Sequence, residues 1–297
     1  MKSINKVAII LTVIFASGIF IFAAKNPTEE KDVIKEISTN FPVKFDFAGE
    51  ETPLKISDVK ERMDRELLIN VNLHASTILA IKRANRAFPV MEPILKKNGI
   101  PDDFKYLAVI ESGLVNAVSP AGARGVWQFM PDTAKERGME VNENVDQRYD
   151  LEKSTQAACS YLLNAKAKFG SWTLAAASYN GGMTGVNRQI DIQKVTNYYD
   201  LLLTEETARY VFRILALKEI MQNPVKYGFA IAPEDLYESL PTRKITIDSS
   251  ITDLAGFAKS QGINYKILKI HNPWLRETKL INETGKTYQI EIPLKGY

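Results

Sequence analysis

The chain has 297 residues, 45% of them hydrophobic and 25% charged, a mixture that excludes a wholly disordered chain, a collagen-like chain and a coiled-coil rod. With 38 Lys+Arg against 35 Asp+Glu the formal charge is +3, so there is no basic footprint and no nucleic-acid partner is expected. The one cysteine, Cys159, excludes an intramolecular disulfide framework; His74 and His271 lie far apart without neighbouring ligand candidates, so no metal site is expected either.

The N-terminus reads as an address. Lys2 and Lys6 precede an uncharged run, Val7 to Ala24, closed by Lys25. A basic start before an apolar stretch marks a secretory signal or an N-terminal anchor. The run is at the lower limit for a membrane-spanning helix and longer than an ordinary signal core. A cut after Ala24 would put Phe22 where a small residue is wanted, and a cut after Ala23 would put Ile21 there. The balance favours an uncleaved anchor over a cleaved signal. Either way the lysines hold the N-terminus in the cytoplasm and the remainder is exported, to the cell envelope or periplasm.

Residues 1–25 are thus expected as signal peptide or membrane anchor and 26–55 as a linker or irregular wrap, since no period is sustained there. A mostly helical domain fills 56–240. One helix starts near Ser57 and runs through Val59, Met63, Leu67 and Leu68; a second covers about Ala75–Ala87, before Phe88-Pro89; a third is Met91–Lys97, closed by Asn98-Gly99. Pro101-Asp102-Asp103 starts the next, FKYLAVIES. Met130-Pro131-Asp132 opens a short helix ended by Gly138. Asp150 can cap Leu151–Phe169, stopped by Gly170. Trp172–Tyr179 is a compact apolar helix running into Asn180-Gly181-Gly182, and Thr204 can cap Glu205–Gln222, with Pro224 beyond. No βαβ alternation appears, so the domain is read as all-helical. From 241 to 297 the texture changes: Lys244–Ile247 and Thr287–Ile292 alternate as strands, and Ile251–Lys259 and Tyr265–Ile270 read as short helices, giving a β-α-α-β unit.

Glu111 departs from its surroundings. Phe104, Leu107, Ala108 and Glu111 share one helical face, three apolar members and one carboxylic acid. A carboxyl held against apolar neighbours ionises reluctantly and can serve as a general acid near neutral pH. Ser112-Gly113 follows at once and places Glu111 at a rim, where on the helix alone it could equally swing to solvent or pair with a surface cation. Downstream, the glycines of Ala121-Gly122-Ala123-Arg124-Gly125 suit a sharp loop, and Val126-Trp127-Gln128-Phe129 supplies rings and an amide, chemistry that fits the C–H faces and hydroxyl edges of a sugar but equally a turn with a core Trp. Ser178-Tyr179-Asn180 closes an apolar helix; the Tyr179 hydroxyl needs a partner and could meet the Glu111 carboxyl.

Glu111-Ser112, Gly125-Val126-Trp127-Gln128 and Ser178-Tyr179-Asn180, in this order and at these separations, resemble the signature of the lytic transglycosylases with a goose-type-lysozyme-like domain. Ile100–Leu114, Phe129-Met130-Pro131 and Glu206–Val211 extend the resemblance across about Ser57–Asn223. Two departures stand out: the family often has Leu-Met where this chain has Val126-Trp127, and Ala where it has Ser178.

The resemblance implies a lysozyme-like fold and peptidoglycan glycan strands as substrate, with no metal or cofactor. Glu111 would be the single acid/base, and the muramic C6 hydroxyl would replace the second carboxylate that ordinary glycosidases use. Asp132 and Glu136 are second-carboxylate candidates by sequence proximity only. By analogy Gly125 shapes the loop, Ser112 and Gln128 hydrogen-bond substrate, and Trp127 and Phe129 wall the groove. Tyr179 and Tyr210 would orient Glu111, and Asn180 would support Tyr179 or the sugar. The C-terminal unit resembles a diverged LysM module, a fold that binds N-acetylglucosamine-containing glycans, with Ser249-Ser250 in place of the familiar Gly-Asp. The competing readings are a lysozyme-like hydrolase and a non-catalytic cell-wall-binding protein.

Overall fold

The computed structural model describes residues 41–295; the expected anchor or signal over 1–25 lies outside them. Among the described residues no helix is long and apolar enough to cross a membrane. The chain is mostly α-helical: ten α-helices and two small two-stranded sheets are described. The helical domain comprises α1 (Ser57–Asn72), α2 (His74–Lys97), α3 (Lys105–Ser112), α4 (Pro131–Glu136), α5 (Leu151–Phe169), α6 (Trp172–Gly181), α7 (Met183–Gln193) and α8 (Glu205–Gln222), preceded by a hairpin of β1 (Asp46–Phe47) and β2 (Glu50–Glu51).

α3 is the centre of this domain. Every residue from Lys105 to Ile110 is buried, so the helix is covered on all sides rather than on one face. It packs against α2 and α8, and α8 packs in turn on α1 and α6. Gly113 ends α3 with φ of +60°, a left-handed conformation that glycine adopts without a Cβ penalty.

Two elements differ from the sequence expectation. The helices expected on either side of Phe88-Pro89 are one continuous helix, α2, with Pro89 and Pro93 inside it. Proline removes an intrahelical donor and usually ends a helix. Here the buried stripe Thr77, Ala80, Ala84, Ala87, Met91 and Leu95 keeps helical spacing through both prolines, and that packing holds the helix together. The second difference is α7. Asn180-Gly181-Gly182 reads as a stop, yet the chain turns at Gly182 and re-enters a helix at Met183. The cap of α5 is as the residues suggest, Asp150 accepting from the Lys153 amide; α6 is capped by Ser171, which accepts from the Leu174 amide. Thr204 makes no such cap to α8; its hydroxyl meets that of Thr207 instead.

The described end of the stretch expected as linker or wrap lies against the helical domain. Phe47 is fully buried, its ring 5.0 Å from that of Phe104, which in turn lies 5.3 Å from Trp172. Glu50 accepts from the Trp172 and Thr173 amides and from the Ser171 and Thr173 hydroxyls at the start of α6. Burial alone would raise its pKa, but these bonds hold the carboxyl below the ordinary value. The hairpin therefore caps α6 from outside.

The C-terminal module has the expected β-α-α-β order: β3 (Thr242–Ile247), α9 (Leu254–Ser260), α10 (Tyr265–His271) and β4 (Tyr288–Pro293), with β3 and β4 antiparallel, Ile245 opposite Ile290. Its own core holds Leu254, Leu268, Trp274, Leu280 and Ile290. Asn272, fully buried, donates to the Leu268 and Glu291 carbonyls and accepts from the Glu291 amide, tying α10 to β4.

If the hairpin is integral to the helical domain, Phe47→Ala lowers its unfolding free energy by about 3 kcal/mol, read from urea melts; a change below about 0.5 kcal/mol would show the hairpin to be peripheral.

Candidate active site

The sequence of α3 places Glu111 one turn past Leu107 and Ala108, both fully buried. The residue is only partly covered, but its carboxyl is enclosed and receives a hydrogen bond from the Tyr210 hydroxyl of α8. Burial is the main influence on the acid and raises its pKa; the Tyr210 bond and the nearby Arg213 charge pull it down, and Glu206 pushes it up. The balance is a pKa of about 7. Desolvation disfavours the charged form more than one neutral hydroxyl can favour it. Tyr210 itself is almost fully buried, and burial followed by the charge of Glu111 drives its phenol far above its ordinary value.

The loop from Ala117 to Phe129 is folded back on itself. The Arg124 amide donates to the Phe129 carbonyl, and the Gly125 amide to that of Ala117. Gly125 has φ of +83°, and a Cβ built on it would lie 1.8 Å from the Arg148 carbonyl; no other residue fits there. Gln128 also sits in the left-handed region, at φ +50°. For a residue with a Cβ this costs on the order of 1–2 kcal/mol. Its amide offsets that by donating to the Ala117 and Gly125 carbonyls, at 3.1 and 2.7 Å.

The structure brings the three sequence motifs together through this loop. The Ser112 hydroxyl donates to the Val126 carbonyl at 2.8 Å, and the Tyr179 hydroxyl to the Trp127 carbonyl at 2.9 Å. Several placements differ from the expected roles. Tyr179 gives its hydrogen bond to the loop, not to Glu111; Tyr210 holds the acid. The electrostatic influence of Glu111 on Tyr179 still places the two as neighbours. Trp127 is fully buried with its indole N–H on the Thr155 hydroxyl, so its ring belongs to the core and not to a groove wall. Phe129 is buried too, 5.9 Å from the Tyr179 ring, and Tyr161 stacks edge-on to the same ring at 5.1 Å. Asn180 donates to Glu206 and accepts from the Thr207 hydroxyl, which fixes the start of α8 to the end of α6.

Asp132 and Glu136 are exposed on α4 and are not among the groups that shift Glu111. The carboxylate that does act on it is Glu206, which the sequence reading left without a role. Arg213 was missed as well. It lies three residues past Tyr210 on α8, donates to the Ile110 carbonyl, and so brings a cation to the C-terminal end of α3. Its position one helical turn from Tyr210 is the signal that could have found it. Cys159 is buried, its thiol pushed up to about 11 by that burial, and takes no part in the site.

The site thus has an acid at the rim of a covered helix, a phenol on its oxygen, and a glycine-pinned loop held by the neighbouring residues. Residues 89–202 match the transglycosylase SLT domain, and residues 243–296 the C-terminal LysM-like domain of soluble lytic transglycosylases. Over 261 residues, 84% of the chain, it is 30% identical to the membrane-bound lytic murein transglycosylase D of Escherichia coli K12, and equally to that of E. coli O6:H1. The chain spans about half the length of these curated relatives, 55%.

Glu111 couples pH to stability. Below about pH 4.5 the acid is protonated whether folded or unfolded and costs nothing; above about pH 7 the folded state carries a desolvated carboxylate. The penalty grows between these limits to about 3 kcal/mol at most. Unfolding free energies of wild type and Glu111→Gln, measured by urea at pH 4, 6 and 8, should diverge in favour of Gln as pH rises; a pH-independent difference contradicts the enclosed acid.

Proposed function

We propose that the chain is a lytic transglycosylase of peptidoglycan, with Glu111 as its one acid/base. The observation that carries this reading is the Glu111 carboxyl at the end of buried α3 with the Tyr210 hydroxyl on it, where burial pushes its pKa up to about 7. An acid with that value is substantially protonated at neutral pH and regenerates its base form just as readily, as a single residue serving both halves of a reaction requires.

In the first half, protonated Glu111 delivers its proton to the glycosidic oxygen between N-acetylmuramic acid and N-acetylglucosamine. The bond to the anomeric carbon breaks and positive charge develops on the muramic ring. Glu111, now a carboxylate, stays hydrogen-bonded to Tyr210, which stabilises the charge it has just acquired. In the second half it takes the proton from the muramic C6 hydroxyl as that oxygen attacks the anomeric carbon. The product is a 1,6-anhydro end, no water is consumed, and Glu111 is returned protonated. Two-carboxylate glycosidases need a second acid at a fixed separation. Here the carboxylate acting on Glu111 is Glu206, itself engaged by Asn180, and the C6 hydroxyl makes a second acid unnecessary.

The polar groups of the loop are largely committed to the protein. Ser112, Gln128 and Tyr179 act in this reading by holding the loop beside Glu111, and the loop backbone and the exposed residues around it, such as Val118 and Met130, meet the glycan. The N-terminal run would keep the enzyme at the envelope, where its substrate is.

Digestion of purified sacculi followed by mass spectrometry tests this directly. Wild type should release muropeptides with anhydro ends and Glu111→Gln should lose at least ~1,000-fold in rate, the combined scale of losing acid and base assistance. Products one water heavier would make the enzyme a hydrolase, and an undiminished Glu111→Gln would end the assignment of the acid.

A further inference from the structure

The loop from Glu140 to Arg148 belongs to the helical domain by sequence but to both units by contact. It turns tightly at Asn142, whose side-chain oxygen accepts from the Asn144 and Val145 amides. Val145, fully buried, sits in the core of the C-terminal module with Leu254, Trp274 and Leu280. The backbones pair as well: the Asp146 amide donates to the Trp274 carbonyl at 2.9 Å, and the Arg276 amide to that of Asn144 at 2.8 Å. The rim is polar, with Tyr288 and Lys286 on Glu140, Lys244 on Glu152, and the Arg276 guanidinium 4.1 Å from the centre of the Tyr149 ring.

The next residues of the same loop grip the loop beside Glu111. Asp146 and Arg148 are both nearly inaccessible and pair as a fork, Nε to Oδ1 at 2.9 Å and Nη2 to Oδ2 at 2.7 Å. Such bidentate pairs fix orientation as well as charge. The remaining guanidinium nitrogen, Nη1, donates to the Gly122 and Phe129 carbonyls, the two ends of the Gly125 segment. The Arg148 carbonyl lies against Gly125 itself, and Asn116 donates to the Tyr149 carbonyl. A continuous path therefore leads from Val145 and Trp274, through Asp146 and Arg148, to the loop whose Val126 and Trp127 carbonyls are held by Ser112 and Tyr179.

We infer that the C-terminal module is a brace for the loop beside Glu111, with Asp146 and Arg148 as positioning residues that transmit its docking. The inference rests on the transglycosylase reading for what the loop does, and it assigns the module a role separate from any affinity for glycan. A module that only gathers substrate changes KM when it is undocked; a brace changes kcat, because the loop loses its alignment to the acid.

The test uses the full chain in detergent, with soluble uncross-linked glycan strands as substrate. Val145→Asp places a charge in the module core and undocks it. The expected result is a fall in kcat of at least about tenfold with KM within about twofold, together with faster amide exchange over residues 117–129 while α1 and α8 keep their protection. Lys259→Ala, on an exposed position of α9, should change neither. If Val145→Asp does not fold, Val145→Ala carries the test, with a smaller fall in kcat and the same constancy of KM. A change confined to KM, an unchanged kcat, or unaltered exchange in the loop overturns the brace. Wild type inactive on the strands would instead remove the enzymatic reading, and the exchange result alone would then decide the coupling.

Discussion

The enclosure of one carboxyl group governs the arrangement of the helical domain. Glu111 can be a neutral acid near pH 7 only if water is kept from it, and that requires α3 to be covered on every side. Residues Lys105 to Ile110 are all buried beneath α2 and α8. The same covering brings Tyr210 to the carboxyl and Arg213 to the end of its helix. Without the phenol and the cation, burial would push the acid further up and leave it a weaker proton donor; without burial it would be an ordinary surface glutamate. Burial is the larger influence, and the phenol and the cation offset part of it.

The loop from Ala117 to Phe129 supplies the other half of the site, and it is held by groups that at first resemble substrate ligands. Ser112, Gln128, Tyr179 and Arg148 all bond to backbone carbonyls in or beside it. Gln128 accepts a left-handed backbone to do so. Strain of this kind persists only where surrounding contacts over-determine the conformation, and here they come from α3, α6 and the Arg148 loop together. The hairpin contributes at one remove, since Glu50 anchors the start of the helix that ends in Tyr179 and Asn180.

Much of this is legible in the sequence, and the exceptions have physical reasons. The starts of α1, α5 and α6 follow from helical spacing or a capping residue, and the β-α-α-β module from the change of period after Pro241; α8 begins where expected but without the cap from Thr204. Glu111 stands out because it is a carboxylate on an apolar face. α2 is hidden because prolines are local signals, while the packing that overrides them is not. α7 is hidden for a similar reason: Gly181-Gly182 looks like a stop, and Val186 is the one buried residue in the helix that follows. The role of Trp127 could not be read, because an aromatic beside glycines suits a sugar wall and a core plug equally well; only its burial separates the two. Val145 is the hardest case. A lone valine in a polar turn carries no mark of the second core it enters.

The central claim is that Glu111 is held half-ionised near neutral pH by its surroundings. Direct titration of its side-chain carboxyl carbon by NMR, with Glu111→Gln used to assign the resonance, measures this without reference to activity. A midpoint near 7 is the expected result. A midpoint near the ordinary glutamate value of about 4.3 would show that water reaches the carboxyl, and the single-acid mechanism would lose its basis.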